Sequence, residues 1–151
     1  KCDEGEPITY TDEQGYFTFQ NSADLSKYPT VAEVIANQTV DTTLNSTFSA
    51  NLTLVTPAGK SVVSPFTSMV YSYANITGED LGNATTYLQE KLGFNPLTDY
   101  IKEGNKEAEK IAIITTEMVE KLKRRGLKED KKLWSNTYQQ IEGIKQIAQN
   151  L

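Results

Sequence analysis

Ser61-Val62-Val63-Ser64-Pro65-Phe66-Thr67-Ser68-Met69-Val70 divides the chain into two kinds of sequence. Ser64 is a strong helix cap, because its hydroxyl can accept a hydrogen bond from an unpaired N–H of the first turn. Pro65 then fits the first helical position, where its missing N–H costs nothing. Phe66, Met69, Val70 and Tyr73 fall on one face of the helix that this start predicts. Upstream of the switch, short Thr-, Val- and Tyr-rich runs are separated by turn residues. Downstream, apolar residues recur at three- and four-residue steps opposite Lys and Glu.

The upstream half reads as strands. Ile8-Thr9-Tyr10-Thr11 and Tyr16-Phe17-Thr18-Phe19 flank the turn Asp12-Glu13-Gln14-Gly15, which predicts a hairpin over 8–19. Asn21 to Pro29 reads as a loop or a single helical turn. Thr30 to Ile35 is a strand with Glu33 directed to solvent, and Asn51 to Thr56 is another. The polar stretch 36–50 between them predicts a long loop or edge excursion, and Ser61-Val62-Val63 a short last strand. Four or five such strands make a small antiparallel sheet or partial sandwich.

The downstream half reads as about four helices. The first begins at Ser64-Pro65. A second starts at Thr77, with Asp80 completing a capping-box variant, carries Leu81, Ala84, Leu88 and Leu92, and stops at Gly93. The third carries Ala108, Ile111, Ala112, Thr115, Met118, Val119 and Leu122 and breaks at Gly126. The fourth runs from about Asp130 with Trp134, Tyr138, Ile141, Ile144, Ala148 and Leu151 on one side. The predicted fold class is therefore α+β: an antiparallel β subdomain at 1–64 and a helical subdomain at 65–151, packed on one shared core. Val62, Val63, Phe66, Met69 and Val70 are expected to face that core.

Composition narrows the function classes. The 151 residues carry a net charge of −5, which argues against a nucleic-acid footprint. The acidity is uneven: residues 1–64 hold three of the 15 basic and eight of the 20 acidic side chains. Oxygen-rich loops in that half are the place to look for a hard cation. The absence of His removes the commonest general base and soft-metal ligand. With Cys2 as the single thiol, neither an intrachain disulfide nor a cysteine zinc cluster can form. A lipidated Cys2 would need a small residue before it, where Lys1 stands. No apolar run approaches the roughly 20 residues that span a bilayer.

Cys2-Asp3-Glu4-Gly5-Glu6-Pro7, followed by Thr11-Asp12-Glu13-Gln14-Gly15-Tyr16-Phe17, resembles the D-x-G-E-P…T-D-x-x-G-x-F segment of repeated β-modules in large bacterial extracellular and adhesin-like surface proteins. Tyr28-Pro29-Thr30-Val31-Ala32-Glu33-Val34 is similar to that family's Y-P-x-V-A-E-V strand. Thr53-Leu54-Val55-Thr56-Pro57-Ala58-Gly59 resembles its T-L-T-A-P-A-G. Val63-Ser64-Pro65-Phe66-Thr67-Ser68-Met69-Val70 resembles its V-S-P-L-T-T-L-V, with departures at Phe66, Ser68 and Met69. The resemblance covers roughly residues 2–120 and leaves the last helix unmatched. It implies an exported, non-catalytic module of a multidomain surface protein or lipoprotein, placed outside the cell or on its surface, with neighbouring domains of the same polypeptide as partners. In the family the first motif ends a longer Asp/Asn-rich run that looks like a calcium loop. An upstream piece is therefore expected before Lys1, and Asp3, Glu6 and Asp12 are the residues of a candidate calcium site.

Other patterns carry less. The Tyr- and Thr-rich strand face around Tyr10, Tyr16 and Thr18 could stack on and hydrogen-bond to a cell-surface glycan or a protein, which gives a binding module as the alternative function. A hydrolase is weaker still: Ser–Lys dyads and carboxylate pairs abound in composition, but nothing places one in a cleft. The sequons at Asn37, Asn45, Asn51, Asn75 and Asn83 read as chance products of a chain with abundant Asn and Thr. Seven basic residues between Lys121 and Lys132 surround Gly126 and read as a solvated interhelix turn whose cations complement a helix C-terminus.

Overall fold

A computed structural model describes residues 5–20 and 24–151. The fold is α+β, a small antiparallel β region against a helical bundle. Strands β1 (Thr30–Val34) and β4 (Leu52–Thr56) pair antiparallel, with Val31 opposite Val55 and Val34 opposite Leu52. Between them β2 (Val40–Asp41) and β3 (Ser46–Thr47) form a two-residue ribbon, with Asn45 in the left-handed region at φ 52°. The helices are α1 (Pro65–Thr77), α2 (Leu81–Leu92), α3 (Lys106–Arg124), α4 (Asp130–Gln139) and α5 (Ile141–Gln149).

α1 begins where the local chemistry puts it. Ser64 Oγ accepts from the N–H groups of Phe66 and Thr67, and Thr67 Oγ1 accepts from the Ser64 N–H at 2.9 Å, a reciprocal capping box. The same turn is fastened to β4. The Thr67 hydroxyl donates to the Val55 carbonyl at 2.8 Å, and the Ser68 hydroxyl accepts from the Val55 N–H at 3.0 Å. Trp134 of α4 donates its indole N–H to the Thr53 carbonyl at 3.1 Å. Thus the backbone groups on the β4 edge away from β1 are met by helix side chains rather than by another strand. A buried strand edge left unmet would cost the full desolvation of each group.

The core runs through both halves. Val34 and Leu52 belong to one buried cluster with Phe66, Met69, Val70, Leu88, Leu92, Ile111, Val119, Leu133, Trp134 and Ile144. Phe66, Met69 and Val70 are fully buried, as expected from their spacing. Val62 and Val63 are only half-buried and line a cavity instead. Glu33 is exposed, as its place in the strand pattern required.

Several expected elements differ. Within 8–19 the turn forms: the Asp12 N–H donates to the Tyr16 carbonyl at 2.9 Å, the Asp12 carboxylate accepts from the Gln14 and Tyr16 N–H groups, and Gly15 takes φ 84°. Neither flank is a strand. Ile8, Tyr10 and Tyr16 stay exposed, so the alternation has little surface to bury, and an isolated two-stranded hairpin is marginal in water. Residues 61–63 likewise form no strand, because the β4 edge they could have joined is already occupied by Thr67, Ser68 and Trp134. The sheet is correspondingly smaller than a four- or five-stranded one.

Thr77 does not begin the second helix. It ends α1, its hydroxyl donating to the Tyr73 carbonyl at 2.7 Å, and Gly78 follows as the left-handed C-cap. Asp80 is the true cap of α2, accepting from the Asn83 N–H at 2.7 Å. The single last helix is broken at Gln140 (φ −116°, ψ 20°), whose N–H bonds back only three residues to Thr137. The break sets Ile141, Ile144 and Ala148 against α2 and α3, while Leu151 is exposed rather than on the buried stripe. Among the described residues five helices result instead of four.

Candidate functional site

A half-open cavity of about 780 Å³ has walls from segments far apart in sequence. Gln14 to Phe17, in the strandless arm over 8–19, form one wall and the β2–β3 ribbon with Phe48 another. Ser61 to Pro65, the Asp99–Lys102 connector and one face of α3 complete it. Each wall has a local reason. Asp41 Oδ1 accepts from the Thr43 N–H at 3.0 Å and turns the ribbon. Asp99 Oδ1 accepts from the Lys102 N–H at 3.1 Å and turns the connector, which the Asn105 N–H closes onto the Tyr100 carbonyl. Asn105 then caps α3 through the Ala108 N–H.

Tyr100 sits at the centre of this geometry. Its ring meets Phe66 edge-on at 5.3 Å, and Phe66 in turn meets Phe94 at 5.0 Å, so an aromatic chain leads from the cavity into the core. Burial holds the phenol's proton well above the ordinary tyrosine range. The negative charges of Asp41, Glu109 and Asp99 push in the same direction. Glu109 pairs with Lys106 at 2.9 Å. Among the described residues neither Asp41 nor Asp99 has an ion-pair partner.

A pH dependence follows with a definite sign. A group that keeps its proton to higher pH in the folded chain than in the unfolded one contributes stability that is complete below the unfolded value near pH 10. That contribution is lost as pH rises through the folded value. Tyr100, and to a lesser degree Tyr73 and Tyr138, whose phenols burial also raises, should therefore make stability decline above pH 10. Denaturant midpoints across the alkaline range check this, and Tyr100→Phe should flatten the decline. A phenolate absorbance titration should show a late-ionising fraction that vanishes in denaturant.

The residues singled out in the sequence are not brought together here. Tyr10, Tyr16 and Thr18 are exposed on the strandless arm rather than on a sheet face. Tyr16 lines the large cavity, Thr18 a slot of about 260 Å³ between the two arm segments, and Tyr10 neither. Of the candidate calcium residues, Asp3 lies outside the described residues and Glu6 is exposed. Asp12 commits one carboxylate oxygen to its own turn. Among the described residues no group of three or more carboxylates and thiols is placed to hold a metal ion. Cys2 also lies outside the described residues.

The basic turn keeps Lys121, Lys123 and Arg124 in the last turn of α3, where cations complement the helix dipole. Arg124 does more than that: it donates to Ser49 Oγ at 2.6 Å, while Glu120 accepts from the Ser49 N–H at 2.7 Å. Those bonds dock the end of the ribbon segment on α3. Asn51, a sequon residue, holds the Ala36 N–H through its side-chain oxygen at 2.8 Å.

No signal in the sequence pointed to Asp41, Asp99, Tyr100 and Glu109 as neighbours, since they lie in three unrelated local contexts. Compared with known families, characterised proteins and solved structures, the chain matches none. Among the described residues no helix is long and apolar enough to cross a membrane.

Proposed function

We propose that the chain is a non-catalytic structural or adhesive module of an exported bacterial surface protein, whose job is to space, stiffen or present neighbouring domains. The observation that carries this reading is the shared core, in which β4 is fastened to α1 and α4 by side-chain bonds from Thr67, Ser68 and Trp134. A spacer transmits load and orientation only if its parts move as one body, and buried cross-element bonds supply that. The four sequence motifs that resemble surface-protein modules support the same class and an extracellular or cell-surface placement.

The test is mechanical. Pulled from its ends in a tandem array, the module should give one unfolding event per copy, and a glycan array should give no hits. Two separate events per copy would overturn the spacer reading. Reproducible glycan hits would favour the second reading, a carbohydrate- or protein-binding module. That alternative draws its support from the cavity walled partly by Tyr16.

A further inference from the structure

We propose that the cavity enclosed by the arm, the β2–β3 ribbon and α3 binds a linear organic cation, an alkylammonium or alkylguanidinium with a stem like that of lysine or arginine. Its volume of about 780 Å³ falls within the range of small-molecule sites. Three observations on its lining choose the chemistry. The walls contributed by Val40, Phe48, Val62, Val63 and Ile113 are apolar and suit a hydrocarbon stem. Tyr16, Phe17 and Phe48 bring to the lining the aromatic rings on which a cation can rest. The charged lining is Asp41, Asp99 and Glu109 against Lys102, and with Glu109 paired to Lys106 it leaves two carboxylates against one ammonium.

The polar groups also have capacity to spare. Asp41 and Asp99 each use Oδ1 to hold a turn, and the second oxygen of each accepts no hydrogen bond from the described residues. Tyr100 lines the same cavity, its phenol feels the charge of both, and it has no hydrogen-bond partner among the described residues. A neutral phenol oxygen and two carboxylate oxygens give an ammonium or guanidinium the acceptors it needs. A hard metal ion is a poorer occupant, since it takes six or more convergent oxygens and no such cluster occurs among the described residues. An anionic ligand would meet the lining's negative balance. This binding role goes beyond the spacer role and does not depend on it.

The experiment is a titration of the whole chain at low ionic strength, read by amide chemical shifts and calorimetry. The probes are agmatine, cadaverine and N-acetyl-arginine amide, with butylurea as the neutral counterpart and Ca²⁺ as a separate arm. Cation binding should shift amides of 41–44, 99–102 and 109–116. Asp41→Asn and Asp99→Asn keep an oxygen for the turn they hold, and each should weaken binding by about tenfold or more. Tyr100→Phe should weaken it by about threefold, whereas Glu90→Gln, exposed on α2, should leave it unchanged. Tighter binding of the capped arginine than of the free amines would assign the cation to a partner protein's side chain, and the reverse to a free metabolite. Equal binding of butylurea, binding of Ca²⁺ alone, or no shifts with any cation would overturn the proposal. None of those results would alter the single unfolding event that tests the spacer reading.

Discussion

Phe66→Asp should unfold the sheet and the helices together. The ring is fully buried, in edge contact with Phe94 and Tyr100, in the first turn of the helix that is bonded to β4. Removing such a ring costs about 3–5 kcal/mol. Leaving an unpaired carboxylate in its place adds several kcal/mol. The sum reaches the roughly 5–15 kcal/mol that holds a domain folded. The expected result is loss of far-UV helix signal and of β1–β4 amide dispersion at ambient temperature. Phe66→Leu is the companion that keeps the experiment informative. It should remain folded, lose about 1–3 kcal/mol, and show one lowered denaturation midpoint for both probes. Helix melting with an intact β1–β4 sheet would show that the two halves are independent domains.

The elements that were legible in the sequence are those whose cause is local. Ser64 and Pro65 start a helix by chemistry contained in four residues, and the capping box with Thr67 forms as that chemistry requires. The α3 stripe is legible for a related reason: helical periodicity names the buried face without naming the partner. Of its seven expected residues, Ala108, Ile111, Ala112, Thr115 and Val119 are buried, and Met118 and Leu122 pack half-buried at the edge.

Strands are different, because alternation marks a face but not a neighbour. Ser61-Val62-Val63 has strand composition and still forms none, since the available edge of β4 is met by helix side chains. The arm over 8–19 keeps its Asp12–Gly15 turn, which is local, and lacks the ladder, which is not. The break at Gln140 was hidden for another reason. Trp134, Tyr138, Ile141 and Ile144 keep helical spacing across it, so the apolar stripe gives no sign of the turn.

The candidate site was the least legible of all. Asp41 lies in the stretch that reads as a long loop or edge excursion, and in the structure it turns the ribbon, Asp99 turns the connector and Glu109 pairs with Lys106. Each of these roles is local. Their common acidity around Tyr100 arises only when the connector folds under the arm and the ribbon. The same holds for Arg124, whose bond to Ser49 links positions 75 residues apart. Charge counting over 1–64 located an acidic half, and the cavity draws two of its three carboxylates from outside that half.

Trp134→Ala should be the most damaging substitution in the helices that the sequence resemblance does not reach. The indole is 1% exposed, and its N–H is the bond from α4 to the Thr53 carbonyl. Truncation leaves a cavity at the junction of α4, α1 and β4, at a cost of about 3–5 kcal/mol. For a chain of this size that lowers the melting temperature by roughly 10 °C. Trp134→Phe separates the two contributions. It keeps most of the apolar volume but deprives the Thr53 carbonyl of its donor, for about 1–2 kcal/mol. Because Thr53 lies within β4, both variants should speed hydrogen exchange in the β1–β4 ladder as well as in α4. Exchange accelerated in α4 and α5 alone would mean that the last two helices are an appendage to a sheet and bundle that stand without them. Exchange accelerated throughout would make the indole bond part of what keeps β4 seated, so that the unmatched end of the sequence completes the fold begun at Ser64.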